Sequence, residues 1–260
     1  MNNKLTYNYH THTVRCNHAV DQDEEYIQFA IKSGLKILGF SDHSPFIRED
    51  GIDTLYRVPV SKGAEYVQSI RALREKYKDQ IDIIIGFEME YYPTHFESML
   101  KMVKDFGAEY LILGQHFYKP ENKGGLHLLS NPQSENDLTI FVNTVIEAMN
   151  TGCFSYVAHP DAVLYKGDMD FYVSEIRRLA VESKRLNVPL EINLLGLREN
   201  RLYPNPDFWK IVSEVGSPVV IGGDAHRACH VYNEESIEKA FKMIKDYNLN
   251  FVENPKIIKI

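Results

Sequence analysis

Apolar and polar positions along the chain switch repeatedly between two periods. The runs "LTYNYHTHT" (5–13), "KILGFSDH" (36–43), "IDIIIGFEMEY" (81–91), "EYLILGQH" (109–116), "FSYVAHP" (154–160), "VPLEINLLGL" (188–197) and "SPVVIGGDAH" (217–226) are short, apolar and rich in β-branched and aromatic residues, and they read as strands. Helical spacing fills the intervals. In "DQDEEYIQFAIKSGL", Tyr26, Ile27, Ala30 and Ile31 fall on one face and Gly34 supplies the stop. Further helices are predicted over about 59–77 and 94–106, and from Ser134, where Ser134 and Asp137 suit a cap and a first turn. Seven strand–helix units in unbroken alternation predict an α/β chain with a parallel sheet, closed or nearly closed as a TIM-like barrel; a doubly wound open sheet is the alternative. No linker, repeat or charge block divides the chain, so residues 1–260 are expected to form one domain. The longest loops, 44–58 and 117–133, are the expected carriers of substrate contacts.

Composition narrows the function. With 44% hydrophobic and 25% charged residues and no biased tract, the chain suits an ordinary globular fold rather than long disorder. A formal charge of −7 speaks against nucleic-acid binding, which relies on clustered Lys and Arg, but leaves room for a small phosphorylated substrate met by bound cations. Cys16, Cys153 and Cys229 are scattered and form no CxxC, as in a reduced compartment. No targeting segment and no run of membrane-crossing length is recognisable, so a soluble, cytoplasmic protein with no membrane partner is expected.

Candidate ligands then fall on the predicted map in a pattern. His10 and His12 end the first strand and His18 follows it. His43 ends the second, Glu88 lies late in the third, His116 ends the fourth, His159 the fifth, and Asp224 and His226 close the seventh. In a parallel barrel all these carboxyl ends meet at one rim, where active sites assemble. Residues i and i+2 of a strand share a face, so His10 with His12, Glu88 with Glu90, and Asp224 with His226 can point together. Imidazoles and carboxylates suit zinc, iron or manganese, and these nine groups could hold three ions. A lone histidine is usually a hydrogen-bonded core or surface residue, and an HxH pair arises by chance; joint placement on one rim favours the metal reading. His95 and His230 are read as solvated or structural, and His127, in a long loop, is left open. Asp42 points away from His43 on its strand and is read as a supporting residue.

The segments "HTHTVRCNH" (10–18), "SDHSPF" (41–46), "GFEMEY" (86–91), "GQHF" (114–117), "AHPD" (158–161) and "GGDAH" (222–226), in order along nearly the whole chain, resemble the PHP (polymerase and histidinol phosphatase) superfamily. Within it, "SDHSPF", "YRVP" (56–59) and "GFEMEYYP" (86–93) look like the monofunctional histidinol-phosphate phosphatases. The resemblance implies a distorted (β/α)7 barrel and a trinuclear centre. It assigns His10, His12, Glu88 and Asp224 to one ion, Glu88, His116 and His159 to a second, and His18, His43 and His226 to a third. It also implies histidine biosynthesis as the setting and hydrolysis of L-histidinol phosphate to L-histidinol and phosphate as the reaction.

Such a centre answers the difficulty of the reaction. A phosphate monoester repels nucleophiles and has a poor leaving group, whereas clustered cations lower the pKa of water from 15.7 towards about 7 and clamp the phosphoryl oxygens. A metal-bridging hydroxide at Glu88 is the expected nucleophile, with Asp224, His226 or a third-metal water as the acid. Guanidinium groups should fork onto the phosphate, with Arg198 first, then Arg227 and Arg15; Glu90, Asp161 and Glu191 are candidates for the amine and imidazole end. No GxSxG, CxxxxxR or Gly-rich phosphate loop offers another route. Two competing readings keep the metals but give them other work, either on a nucleotide or phosphodiester substrate or in a metal-binding domain without catalysis.

Overall fold

The computed structural model describes residues 4–48, 50–120, 123–125, 127–130 and 132–260. Eight parallel strands form one sheet in sequence order: β1 (Tyr7–Asn8), β2 (Ile37–His43), β3 (Asp82–Met89), β4 (Tyr110–Leu113), β5 (Phe154–Val157), β6 (Leu190–Asn193), β7 (Pro218–Gly222) and β8 (Asn250–Phe251). Helices cover it between strands: α1 (Asp23–Ser33), α2 (Gly63–Tyr77), α3 (Phe96–Phe106), α4 (Glu135–Asn150), α5 (Met169–Leu186), α6 (Leu194–Glu199), α7 (Pro206–Val215) and α8 (Glu234–Asp246). This is the expected α/β, TIM-like arrangement, with one short strand more than the sequence pattern counted. Buried on both faces, its strands are near-continuous apolar runs; in β2 only Ile37 is not fully buried.

Local chemistry sets the helix ends. Gly34, Gly107 and Gly216 terminate α1, α3 and α7 with φ of +80°, +92° and +75°, a left-handed conformation that glycine adopts without a Cβ clash. Ser134 and Asp137 form a reciprocal capping box at the start of α4, at the predicted position. One element departs from the sequence pattern. "VPLEINLLGL" reads as a strand to 197, but β6 stops at Asn193, whose side chain accepts the Gly196 N–H at 3.1 Å and opens α6. Leucines 194 and 195 are buried as helix residues, which their apolar character alone could not distinguish from strand.

The way the sheet meets itself positions the site. β8 pairs with the start of β7, Pro218 opposite Asn250 and Val219 opposite Phe251. Beyond the strands proper, Thr11 bridges Ala225 in parallel, with the His12 N–H donating to the Ala225 carbonyl at 2.9 Å and the Ala225 N–H to the His10 carbonyl at 3.2 Å. The segment that follows β1 is thereby stitched to the segment that follows β7. The first histidine pair and the last aspartate–histidine pair become neighbours at the mouth.

Candidate metal centre

His10 and His12 leave β1 on one face, with ring centroids 5.1 Å apart, while Thr11 turns away. In the register of β2 and β3, His43 lies opposite Glu88, so the adjacent strands deliver the two side chains together. His159 and Asp224 follow β5 and β7 with φ of +30° and +46°. Positive φ is uncommon outside glycine and costs on the order of 1 kcal/mol or more, and here it re-aims two candidate ligands at the mouth.

Glu88 is the hub. Its Oε1 lies 2.8 Å from His159 Nε2 and 3.6 Å from His116 Nε2; its Oε2 lies 3.1 Å from His43 Nδ1 and 3.5 Å from both His10 Nε2 and His12 Nε2. Asp224 Oδ1 stands 3.3 Å from His12 Nε2, 3.2 Å from His226 Nδ1 and 3.8 Å from His10 Nε2. Ligand atoms lie within 4.8 Å of one another in the sets His10, His12, Glu88; His10, His159, Asp224; His43, Glu88, His116; and His18, His43, His226. The nine sequence candidates are brought together. The sets differ from the expected partition in two respects: His43 reaches Glu88 and His116 as well as His18 and His226, and His159 falls with His10 and Asp224. Cys16, which sequence reasoning did not single out, joins His12 and His226 in a further set.

The donor set fits cations. Among the described residues, His10 Nε2, His43 Nδ1, His226 Nε2 and Glu88 Oε2 are buried without a hydrogen bond of proper geometry, and each such group left unsatisfied costs about 1–3 kcal/mol. Burial disfavours charge on His10, yet Glu191, Asp224 and Glu88 hold its pKa up to about 10. Burial likewise opposes the ionised Glu88, but His43, His116 and His10 keep it well below the usual carboxylate range. Apolar walls thus surround a pocket of competing charges and unpaired lone pairs, the environment in which divalent cations replace protons.

Outer residues fix the ring orientations. Glu191 accepts from His10 Nδ1 at 2.8 Å and also receives the His159 N–H and Asn193 Nδ2, both at 2.9 Å. Asp42, held by the Thr13 N–H and hydroxyl, stands 3.5 Å from His12 Nδ1, in keeping with its predicted supporting place. Glu90 lies 3.0 Å from His116 Nδ1 and is ion-paired with Arg57, itself only 1% exposed. These contacts select the tautomers and raise ligand basicity. Close packing extends to the glycines: a Cβ on Gly114 would fall 1.9 Å from Glu88 Oε1. Gly114→Ala is therefore expected to displace the Glu88 carboxylate and lower both bound metal and turnover by about 100-fold, the upper end for disturbing a ligand's support. Metal content measured beside phosphate release checks it.

Above the cluster opens a cavity of about 580 Å³. One side is formed by Tyr56, Phe117, His127 and Leu129 from the two long loops, the other by Glu199, Arg201, Arg227 and His230. Of the expected substrate-binding residues, Arg227 lines this cavity. Arg198 lies behind it, with Nη2 3.4 Å from the Asp224 carbonyl and Nε and Nη1 buried with no hydrogen-bond partner among the described residues. Three expectations are corrected. Arg15 is spent on Asp23 and Glu65, each at 2.9 Å, outside the cavity. Glu90 is enclosed by His116 and Arg57, as described above. Asp161, also buried, accepts from Trp209 Nε1 at 2.8 Å and the Asn205 N–H at 2.6 Å, a structural anchor whose pKa burial pushes up to about 6. Glu191, also considered for the substrate, is engaged by His10. His230 stands in the wall instead of being merely solvated, and burial pushes it and His127 down to about 4, so both are neutral at pH 7. Arg201, which sequence reasoning missed, is carried into the wall by the turn after α6, where Asn200 has φ +51°.

A probable histidinol-phosphatase of Deinococcus radiodurans is 29% identical over 230 residues, covering 84% of this chain and 85% of that protein. A probable histidinol-phosphatase of Schizosaccharomyces pombe is 29% identical over 143 residues, 48% of this chain and 46% of its own length. The crystal structure of a histidinol phosphate phosphatase from Lactococcus lactis, complexed with zinc, L-histidinol and phosphate, shares the fold with a TM-score of 0.71 at 18% identity, covering 96% of each chain. The PHP domain model matches residues 8–194, most of the chain and all the candidate ligands except Asp224 and His226. The chain belongs to the PHP domain family.

Proposed function

We propose that this protein is a histidinol-phosphatase, hydrolysing L-histidinol phosphate to L-histidinol and inorganic phosphate at a centre of three divalent ions. The observation that carries the reading is the convergence of His10, His12, His18, His43, Glu88, His116, His159, Asp224 and His226 beneath a cavity large enough for a small phosphorylated molecule. The substrate is supported by the name of the Deinococcus relative, and zinc by its presence in the Lactococcus structure, with manganese and iron suited to the same donors.

Bound ions would supply Lewis acidity at the phosphoryl oxygens and a water of lowered pKa. The chain's own residues do the rest. Arg227 lines the cavity and suits the phosphate oxygens; Arg201, also in the wall, is paired with Glu199 at 2.7 Å and with the Tyr203 hydroxyl at 3.2 Å, while Arg198 braces the Asp224 backbone from behind. Asp224 and His226 stand 3.2 Å apart beside the cavity, where a proton for the leaving alkoxide has to be delivered. The whole chain works as one unit on a free small molecule in the cytoplasm; its cysteines are unpaired, and among the described residues no helix is long and apolar enough to cross a membrane.

The test is a substrate comparison. With zinc or manganese restored, kcat/KM for L-histidinol phosphate is expected to exceed that for a nucleoside monophosphate, a sugar phosphate and a dinucleotide by about 100-fold, the scale of one buried polar group left unpaired at about 1–3 kcal/mol. Equal rates on all four, or preference for the dinucleotide, would reject the assignment.

A further inference from the structure

We infer that His127 reads the imidazole ring of the substrate, donating a hydrogen bond from Nε2 to the ring's acceptor nitrogen. The inference rests on the histidinol-phosphate reading of the site and adds the residue that distinguishes this ester from others. Its first support is a tautomer fixed by the backbone. The Leu129 N–H donates to His127 Nδ1 at 3.2 Å, so that nitrogen carries a lone pair and the proton of the neutral ring sits on Nε2. Among the described residues no partner takes that proton, although the side chain is half-buried in the cavity wall. A donor held ready and unused in a ligand cavity is a recognition element.

Its second support is rigidity. His127 and Phe117 form an antiparallel bridge, the Leu128 N–H donates to the His116 carbonyl at 2.9 Å, and Leu128 is completely buried between them. The loop segment bearing the donor is thus built on the same backbone as the candidate ligand His116. Its third support is shape. The His127 ring stands edge-on to Phe117, with centroids 5.3 Å apart at 83°, and Phe117 stacks with Tyr56 at 5.7 Å. These two aromatic residues form a flat wall beside the donor, suited to the face of a small heteroaromatic ring.

The dimensions agree. Phosphorus and imidazole in L-histidinol phosphate are separated by one ester oxygen and three carbons, a reach of roughly 6 Å at about 1.5 Å per single bond. The His127 and His116 ring centroids are 6.0 Å apart. A phosphoryl group seated over the candidate ligands therefore places the substrate's ring within range of the His127 edge.

The experiment compares wild type, His127→Ala and His127→Gln on L-histidinol phosphate and on p-nitrophenyl phosphate, which has no imidazole. The readout is the ratio of the two kcat/KM values. In His127→Ala the ratio is expected to fall about 10-fold, the scale of one neutral hydrogen bond, chiefly through KM for the histidinol ester, and L-histidinol should weaken equally as a product inhibitor. His127→Gln keeps an N–H at similar reach and is expected to retain most of the ratio. An unchanged ratio in His127→Ala, or equal losses on both substrates, would overturn the inference while leaving the function of the site standing. A wild type with no preference for the histidinol ester would overturn both.

Discussion

Glu88→Gln is expected to remove catalysis almost entirely, lowering phosphate release by more than about 100-fold, beyond the 10–100-fold typical of losing an outer partner of a ligand. The size of the effect follows from geometry. Glu88 stands between five imidazoles at 2.8 to 3.6 Å, with one oxygen turned to His159 and His116 and the other to His10, His12 and His43. Glutamine keeps the shape but removes the negative charge and replaces one acceptor oxygen with an NH₂ that cannot ligate. Two ion positions that share this residue should empty together. The measurement is metal stoichiometry by elemental analysis beside kcat. Full metal content with normal turnover in Glu88→Gln would show that the carboxylate is a bystander.

Stripping the divalent ions is expected to abolish activity and to make stability depend on pH in two directions. The His10 pKa is held up to about 10 by Glu191, Asp224 and Glu88 against burial. Its stabilising contribution in the metal-free protein is fully present below the ordinary histidine value of about 6.5 and is lost as pH rises through about 10. Glu88 and Asp224 are depressed by the surrounding imidazoles, so their contribution is present above the ordinary carboxylate range and is lost as pH falls through their lowered values. The metal-free protein should therefore lose Tm between pH 6.5 and 10. The loaded protein behaves oppositely over that window, because ligands must shed protons to bind metal and affinity rises with pH. At a thousand-fold excess over Kd, ion binding stabilises by about 4 kcal/mol, which for a chain of this size raises Tm on the order of 10 °C. Thermal scans with and without chelator at pH 6.5, 8 and 9.5 measure the gap. It should widen with pH; a constant or narrowing gap would contradict the proton-for-metal exchange.

Much of the candidate site was legible because its residues sit at positions that strand periodicity controls. His10 and His12 share a face, His43 and Glu88 fall at the ends of paired strands, and the HxH and DxH spacings survive without knowledge of any loop. What was not legible depends on three-dimensional partners. Glu90 has the same period as Glu88 and so reads as a second inward carboxylate, but Arg57, supplied by the loop 44–58, captures it. Arg198 was placed just past a strand, whereas the Asn193 cap converts that stretch into α6 and carries Arg201 to the cavity in its stead. Asp161 looked available beside a ligand histidine, yet Trp209, 48 residues later, claims it. β8 has two residues and no periodicity to detect. The part of the fold that repeats was readable, and the part that closes over the substrate was not.

Anomalous diffraction from crystals grown with zinc tests the central claim most directly. Three ion peaks are expected, one within reach of His10, His12 and Asp224, one beside His116 and His159, and one among His18, His43 and His226, with Glu88 bridging the first two. A map with no peak around Glu88 at saturating zinc would contradict the account at its root.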